Sequence, residues 1–312
     1  MKIAFLFSGQ GAQYVGMGKE LHDNFDCAKE IFEKADKALG FSIREICFEK
    51  ESELNKTEFT QPAILTTSIA AMKVLQEKGI QPDFTAGLSL GEYSAYVASG
   101  AMNFEEAVAL VRKRGKFMTE AVAEDVGAMY AIIGLDKVLV EQCCEEASSI
   151  GYVSPANYNA PGQIVIAGIV NAVEKAAALA KEKGAKIVTK LNVSGPFHTA
   201  LLKPASDKLK IELEKINIQA MDFPVVTNVT GNVVKSNEDI IPLLIKQVMS
   251  PVKWEDTIQT LFNLGVDIFI EVGPGKVLSG FVKRTVKGVT ILNVEDLKSL
   301  EKTLEKLETI KE

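Results

Sequence analysis

Phe84-Thr85-Ala86-Gly87-Leu88-Ser89-Leu90-Gly91-Glu92-Tyr93 is the stretch from which this chain is read. An apolar, strand-like approach runs into Gly-x-Ser-x-Gly, and a helix-like run, Glu92 to Ala98, follows. That order is what a nucleophile elbow requires: a tight strand-to-helix turn that lifts a serine hydroxyl clear of the backbone. Gly87 and Gly91 remove side chains where strand and helix crowd together, and the helix N-terminus offers backbone N–H groups to an oxyanion. Taken alone, the pattern fits equally well a glycine-lined turn that holds a serine. The rest of the chain has to decide.

With 312 residues, 47% hydrophobic and 24% charged, the chain can bury a large core in one big domain or two smaller ones. Its net charge of -6 argues against general nucleic-acid binding, which needs a basic footprint. Cys27, Cys47, Cys143 and Cys144 show no Cys-x-x-Cys spacing, so neither a zinc site nor a disulfide framework is expected. The early apolar run Ile3 to Phe7 is too short for a signal peptide, and no run approaches membrane-spanning length. A cytoplasmic protein without membrane contact is the expectation. The sequons Asn192-Val193-Ser194 and Asn228-Val229-Thr230 are expected to be idle.

Ile3 to Phe7 reads as a fully buried strand, followed by the loop Ser8-Gly9-Gln10-Gly11-Ala12-Gln13. A dinucleotide fingerprint would need glycine where Tyr14 stands. Helical spacing runs from Gly18 to Leu39 and from Gln61 to Glu77. Asn103 is placed to cap the next helix, with Glu106 in the capping-box position. That helix carries the apolar stripe Ala107, Leu110, Val111, Phe117 and Met118, and Arg114 falls inside it. Residues 127–194 then read β-α-β-β-α-β, the order of a ferredoxin-like unit. The expected architecture is α/β: a hydrolase-like parallel sheet built from 1–126 and 195–312, with 127–194 inserted as a small subdomain. A helix from about Ala200 to Lys215, the strand Pro224 to Asn228, a helix from Trp254 to Leu264 and the strand Asp267 to Val272 complete the large part. Gly273-Pro274-Gly275-Lys276 is not a P-loop, because Ile270 and Val277 stand where Gly and Ser or Thr are needed. A last helix bears Leu297, Leu300, Leu304 and Leu307.

A serine hydroxyl needs a base, most often histidine. Of the two histidines, His22 lies at polar spacing and is expected to be solvated, while His198 sits in an irregular stretch between a strand and a helix. His198 is therefore the candidate base by elimination. Asp207, Asp222, Asp239, Asp256 and Asp267 are all open as an orienting acid. A guanidinium on an apolar helix face must meet an anion or reach water. For Arg114 that anion is either a structural glutamate or the carboxylate of a substrate, held bidentately.

Phe7-Ser8-Gly9-Gln10-Gly11-Ala12-Gln13, Gly87 to Tyr93, Arg114-Gly115-Lys116, Gly195-Pro196-Phe197-His198 and Glu271 to Lys276, in that order and over essentially the whole chain, resemble the malonyl-CoA:acyl carrier protein transacylases. They resemble more distantly the acyltransferase domains of fatty-acid and polyketide synthases. The resemblance implies Ser89 as nucleophile and His198 as base, without an acidic third member. A main-chain carbonyl near Gln247 would orient the imidazole instead. It implies an oxyanion hole from the N–H groups of Gln10 and Leu90, Arg114 on the malonyl carboxylate, Met118 lining the pocket and Phe197 leaving little room for a branched acyl group. Malonyl-CoA and the phosphopantetheine thiol of acyl carrier protein are then the substrates, and no metal or bound cofactor is implied. Lys276, Lys283 and Arg284 are expected to form part of a basic patch for the carrier protein. Leu88 departs from the pattern, since many members have histidine before the nucleophile; its effect falls on rate or acyl selectivity. A serine esterase or thioesterase fits the elbow equally but leaves Arg114 unexplained, and a non-catalytic scaffold of the same fold is the third reading.

Overall fold

The computed structural model describes residues 1–123, 125–193 and 195–311; Ser194, at the edge of the inserted segment and in one of the two sequons, lies outside them. The ten strands among the described residues are β1 (Ile3–Phe7), β2 (Phe84–Gly87), β3 (Gly127–Ile133), β4 (Val153–Ala160), β5 (Gln163–Ile169), β6 (Ile187–Lys190), β7 (Val225–Val226), β8 (Val252–Lys253), β9 (Ile268–Val272) and β10 (Thr290–Val294). They form two five-stranded sheets. The first has the order β10-β9-β1-β2-β7 and is parallel throughout. The apolar run of β1 reflects this position: Phe5 and Phe7 enter the core on one face, Ala4 and Leu6 the core on the other. A parallel strand covered on both faces has no polar alternation to show.

The second sheet has the order β6-β3-β5-β4-β8. Its first four strands pair antiparallel, in the arrangement of a ferredoxin-like unit, with the helices Lys137–Ala147 and Val170–Glu182 packed on one face. The α/β class and the β-α-β-β-α-β order expected from the sequence are both present. The fifth strand was not foreseen: Val252 and Lys253 pair in parallel with Asn157 and Tyr158 of β4, so this sheet recruits two residues from far outside 127–194.

Other departures are local. The expected helix from Gly18 to Leu39 is two helices, Lys19–Asn24 and Asp26–Leu39, separated by an extended Phe25. Gly18 precedes the first in a left-handed conformation at φ 77°, which suits glycine. Short helices at Ile43–Glu49 and Glu51–Leu54, and strand β10, went unread. His22 is not solvated: its side chain is 10% exposed and meets Phe32 and Phe48 edge-on, with Nδ1 on Asp23 at 2.8 Å. No helix among the described residues is long and apolar enough to cross a membrane.

Candidate active site

At the end of β2 the backbone turns through Ser89 at φ 54°, a left-handed conformation uncommon for a residue with a side chain. The two glycines of the elbow are dictated by contact. A Cβ on Gly87 would run into the carbonyl of Gly91, and one on Gly91 into the carbonyl of Phe7. Gly9 is equally confined, since its Cβ would lie 2.5 Å from Leu88 O. Close approach thus brings the loop after β1 against the turn that carries the serine. Ser8 Oγ donates to Pro274 O at 3.1 Å, which ties the same loop to the glycine-rich turn after β9.

Ser89 Oγ lies 2.7 Å from His198 Nε2. The other ring nitrogen, Nδ1, lies 3.0 Å from the backbone oxygen of Gln247. A carbonyl oxygen only accepts, so Nδ1 carries the proton and Nε2 presents its lone pair to the serine hydroxyl. Gln247 ends the helix Ile240–Gln247, where last-turn carbonyls lack helical donors, so its oxygen is available to a side chain. None of the five aspartates open by sequence holds the imidazole. His198 itself sits at φ 60° and is 4% exposed. Burial, and next the charge of Arg114, push its pKa down from 6.5 to about 4, so the ring is neutral near pH 7.

Asn103 Oδ1 accepts from Glu106 N at 3.1 Å and starts the helix Phe104–Glu120, as its position in the sequence suggested. Gly115 lets that helix press on the helix Thr57–Glu77: its Cβ would be 2.5 Å from Thr57 O. Next to it Arg114 is 1% exposed, and no glutamate or aspartate pairs with it among the described residues. Its Nη1 donates to Gln61 Oε1 at 2.7 Å; its Nη2 donates to Gln247 Oε1 at 3.0 Å and to Ser89 Oγ at 3.1 Å. The guanidinium carbon stands 5.3 Å from the centre of the Tyr93 ring. Nε has no acceptor among the described residues.

A cavity of about 230 Å³ opens over these groups, between the two sheets. Gln10, Leu88, Ser89, Leu90, Arg114, Met118, Phe197 and His198 line it from the large side; Met129, Asn157 and Val165 line it from the small one. The backbone N–H groups of Gln10 and Leu90 have no acceptor among the described residues, while the Gln10 side chain is engaged with Thr57 Oγ1 at 3.0 Å. Gln247 comes to the site through its backbone oxygen and its amide but does not line the cavity.

The model of the acyl transferase domain family matches residues 4–307. A malonyl CoA-acyl carrier protein transacylase of Bacillus subtilis (strain 168) is 49% identical over 308 residues, 98% of this chain and 97% of that protein. The transacylase of Escherichia coli (strain K12) is 45% identical over 97% of this chain and 99% of its own length. This chain belongs to the malonyl CoA-acyl carrier protein transacylase family. Among solved structures, the transacylase from Clostridium perfringens superposes with a TM-score of 0.97 at 52% identity, covering 100% of this chain and 98% of that one. A malonyl-transacylase solved in complex with a type II PKS acyl-carrier protein gives a TM-score of 0.95 at 44% identity, covering 98% of this chain and 100% of that one.

Three polar residues of this transacylase-family site escaped the sequence reading. Gln61 is 1% exposed on Arg114; Asn228 and Glu92 are fully buried beneath the elbow. For Gln61 the signal was a lone amide heading the apolar run Pro62-Ala63-Ile64-Leu65; for Glu92, a carboxylate in the helix Gly91–Ala98, whose other residues are all small, aromatic or apolar. Asn228 gave only an idle sequon. Lys276 is paired with Glu295 at 3.2 Å, and Lys283 and Arg284 are exposed in the last turn of the helix Val277–Thr285.

Proposed function

We propose that this protein transfers a malonyl group from malonyl-CoA to the phosphopantetheine thiol of acyl carrier protein through a malonyl ester on Ser89. His198 Nε2 takes the hydroxyl proton as Ser89 Oγ attacks the thioester carbonyl. The carbonyl oxygen becomes an oxyanion facing the N–H groups of Gln10 and Leu90, donors fixed before the reaction starts. Collapse breaks the C–S bond, and the proton held by His198 leaves with the CoA thiol. In the second half the carrier's thiol gives its proton to His198 and its sulfur attacks the ester; the proton then returns to Ser89 Oγ as the malonyl thioester departs.

The observation that carries this reading is Arg114: a buried guanidinium, hydrogen-bonded only to neutral groups, with Nη2 on the nucleophile itself. An acyl group with its own carboxylate supplies the missing anion, at Nη2 and Nε, and the contact to Ser89 Oγ gives way. Pairing has a second effect. The carboxylate offsets part of the Arg114 charge, which helps hold the proton affinity of His198 down, so the base strengthens as the substrate arrives. An esterase with uncharged substrates would leave that guanidinium buried and unpaired, at a cost of several kcal/mol. Met118 and Phe197 bound the space for the acyl chain, and every step uses side chains, backbone donors and the two thiols, with no resident cofactor. Residues 127–194 act as a small subdomain that closes the cavity, and Lys283 and Arg284 are offered to an acidic carrier.

The test is intact-mass measurement after mixing with malonyl-CoA or acetyl-CoA. A stable malonyl adduct, absent in Ser89→Ala and discharged by carrier protein, is expected; rapid release of free malonate without carrier protein would sink the transferase reading.

A further inference from the structure

Glu92 is fully buried and has no step in the reaction above. It lies three residues beyond Ser89, in the first turn of the helix Gly91–Ala98. The donors facing its carboxylate are neutral: Gln247 Nε2 at 2.8 Å and Asn228 N at 3.1 Å on Oε2, and the Tyr96 hydroxyl at 3.4 Å on Oε1. Burial pushes the pKa of this carboxyl group up, the mark of a group costly to keep among neutral donors.

Its two main partners lead straight back to the nucleophile. Gln247 Nε2 also donates to Ser89 O at 2.8 Å. Asn228 Oδ1 accepts from Ser89 N at 2.6 Å, and Asn228 Nδ2 donates to Gly87 O at 2.7 Å. Ser89 is therefore gripped on both its peptide groups, in a strained left-handed conformation that persists only where its surroundings over-determine it. Gln247 extends the grip: its backbone oxygen orients His198 and its Oε1 accepts from Arg114. The Glu92 carboxyl, the Gln247 amide and the Arg114 guanidinium thus stand in line, while Nη2 of Arg114 stays on Ser89 Oγ.

We propose that Glu92 is the positioning residue of this site: its carboxylate locks Gln247 and Asn228, which hold Ser89, and through Gln247 it sets the imidazole's acceptor and Arg114 at the same time. The inference rests on Ser89 being acylated as proposed above. Misplacement of reacting groups by an ångström costs on the order of 100-fold, so Glu92→Ala is expected to lower the single-turnover rate of malonyl-serine formation by about that factor. The malonyl-CoA concentration giving half the maximal rate should change by less than about threefold, since positioning acts on the chemical step. Glu92→Gln, which keeps an acceptor oxygen for the two donors, should return the rate to within about fivefold of wild type. Tyr96→Phe, which deletes only the 3.4 Å contact, should leave it unchanged. Gln247→Ala retains the backbone carbonyl; combined with Glu92→Ala it should lose less than the product of the two single losses, because the two residues act through one network.

A Glu92→Ala protein that melts lower yet acylates at the wild-type rate per folded molecule overturns the proposal. Should that variant not fold, a wild-type acylation rate in Gln247→Ala does the same. If wild-type protein forms no malonyl adduct, the transfer reading has failed instead. Sulfonylation of Ser89 by phenylmethanesulfonyl fluoride then decides the positioning role: slowed in Glu92→Ala it stands, unchanged it falls.

Discussion

The large part delivers to the cavity every group that can react or carry charge there: Gln10 after β1, Ser89 after β2, Arg114 from a helix packed on the helix Thr57–Glu77, and His198 from the segment that returns after β6. The small sheet delivers surface: Met129 from β3, Val165 from β5 and the amide of Asn157 from β4. The two also differ in what covers their faces. β1 is apolar on both faces, while in β4 and β5 one face packs on the helices Lys137–Ala147 and Val170–Glu182 and the other on the large part. A site at such a junction can hold its chemistry constant on one wall while the opposite wall adjusts the space for the acyl group.

The sharpest way to break that division is Arg114→Ala. Removing one partner of a buried charge pair costs about 2–5 kcal/mol, so malonyl transfer should fall on the order of 1,000-fold. Acetyl transfer, which makes no such pair, should fall by less than about tenfold, the residue of lost support from Gln61 and Gln247. Single-turnover rates with both thioesters decide it; equal losses would make Arg114 structural and move the burden of selectivity to the walls.

A second, smaller effect belongs to the same wall. His198 is held near pKa 4 first by burial and then by Arg114, so the rate of Ser89 acylation should stay flat from pH 7 down to about 5 and fall tenfold per pH unit below about 4. In the unfolded chain the imidazole returns to about 6.5 and takes up its proton first. Between pH 6.5 and 4 the unfolded state binds more protons, so stability is lost as pH falls through this window. The loss contributed by His198 is about 3 kcal/mol, developed fully near pH 4. Denaturant titrations of wild type and His198→Ala at pH 7 and pH 4.5 measure it; an identical pH response in both would show that the imidazole is not titrating as its burial demands. With Arg114→Ala the acid limb should move upward, since one of the two causes is gone.

What could be seen in the sequence follows from how far each residue's signal extends. Ser89 stood out because the glycines beside it are imposed by backbone contact, which leaves a pattern of residue types at fixed spacing. Arg114 stood out because a charge in an apolar stripe contradicts its neighbours, and His198 because only one other histidine competes with it. His22 misled: its neighbours are polar, but Phe32 and Phe48, ten and more residues on, close over it. Gln61 and Asn228 are neutral and Glu92 is a single acid in a short helix, and what makes them matter is a partner 53, 139 or 155 residues away. Strand β8 is two residues long and pairs with β4 from nearly a hundred positions downstream, so no local period could announce it. The break at Phe25 is likewise a matter of how two short helices dock, since both keep the apolar spacing that made them read as one.

The smallest effect tests the other wall. Val165 is 7% exposed on β5, paired across the sheet with Ala131, and faces the cavity opposite the nucleophile. Val165→Ala removes two methyl groups from a site that already borders open space, so little new cavity is sealed in, and the stability loss should be about 1 kcal/mol, the low end for such truncations. Malonyl transfer should change by less than about threefold, because no hydrogen bond to Ser89, His198 or Arg114 depends on this residue. A branched thioester such as methylmalonyl-CoA should gain relative to malonyl-CoA, by about tenfold at most, which is what one or two methylenes of space are worth in an apolar pocket. Competition between the two thioesters, read as the masses of the two serine adducts, measures that ratio. A large loss of malonyl transfer with the melting temperature intact would mean that the small sheet does more than shape the space, and the division between the two walls would have to be redrawn.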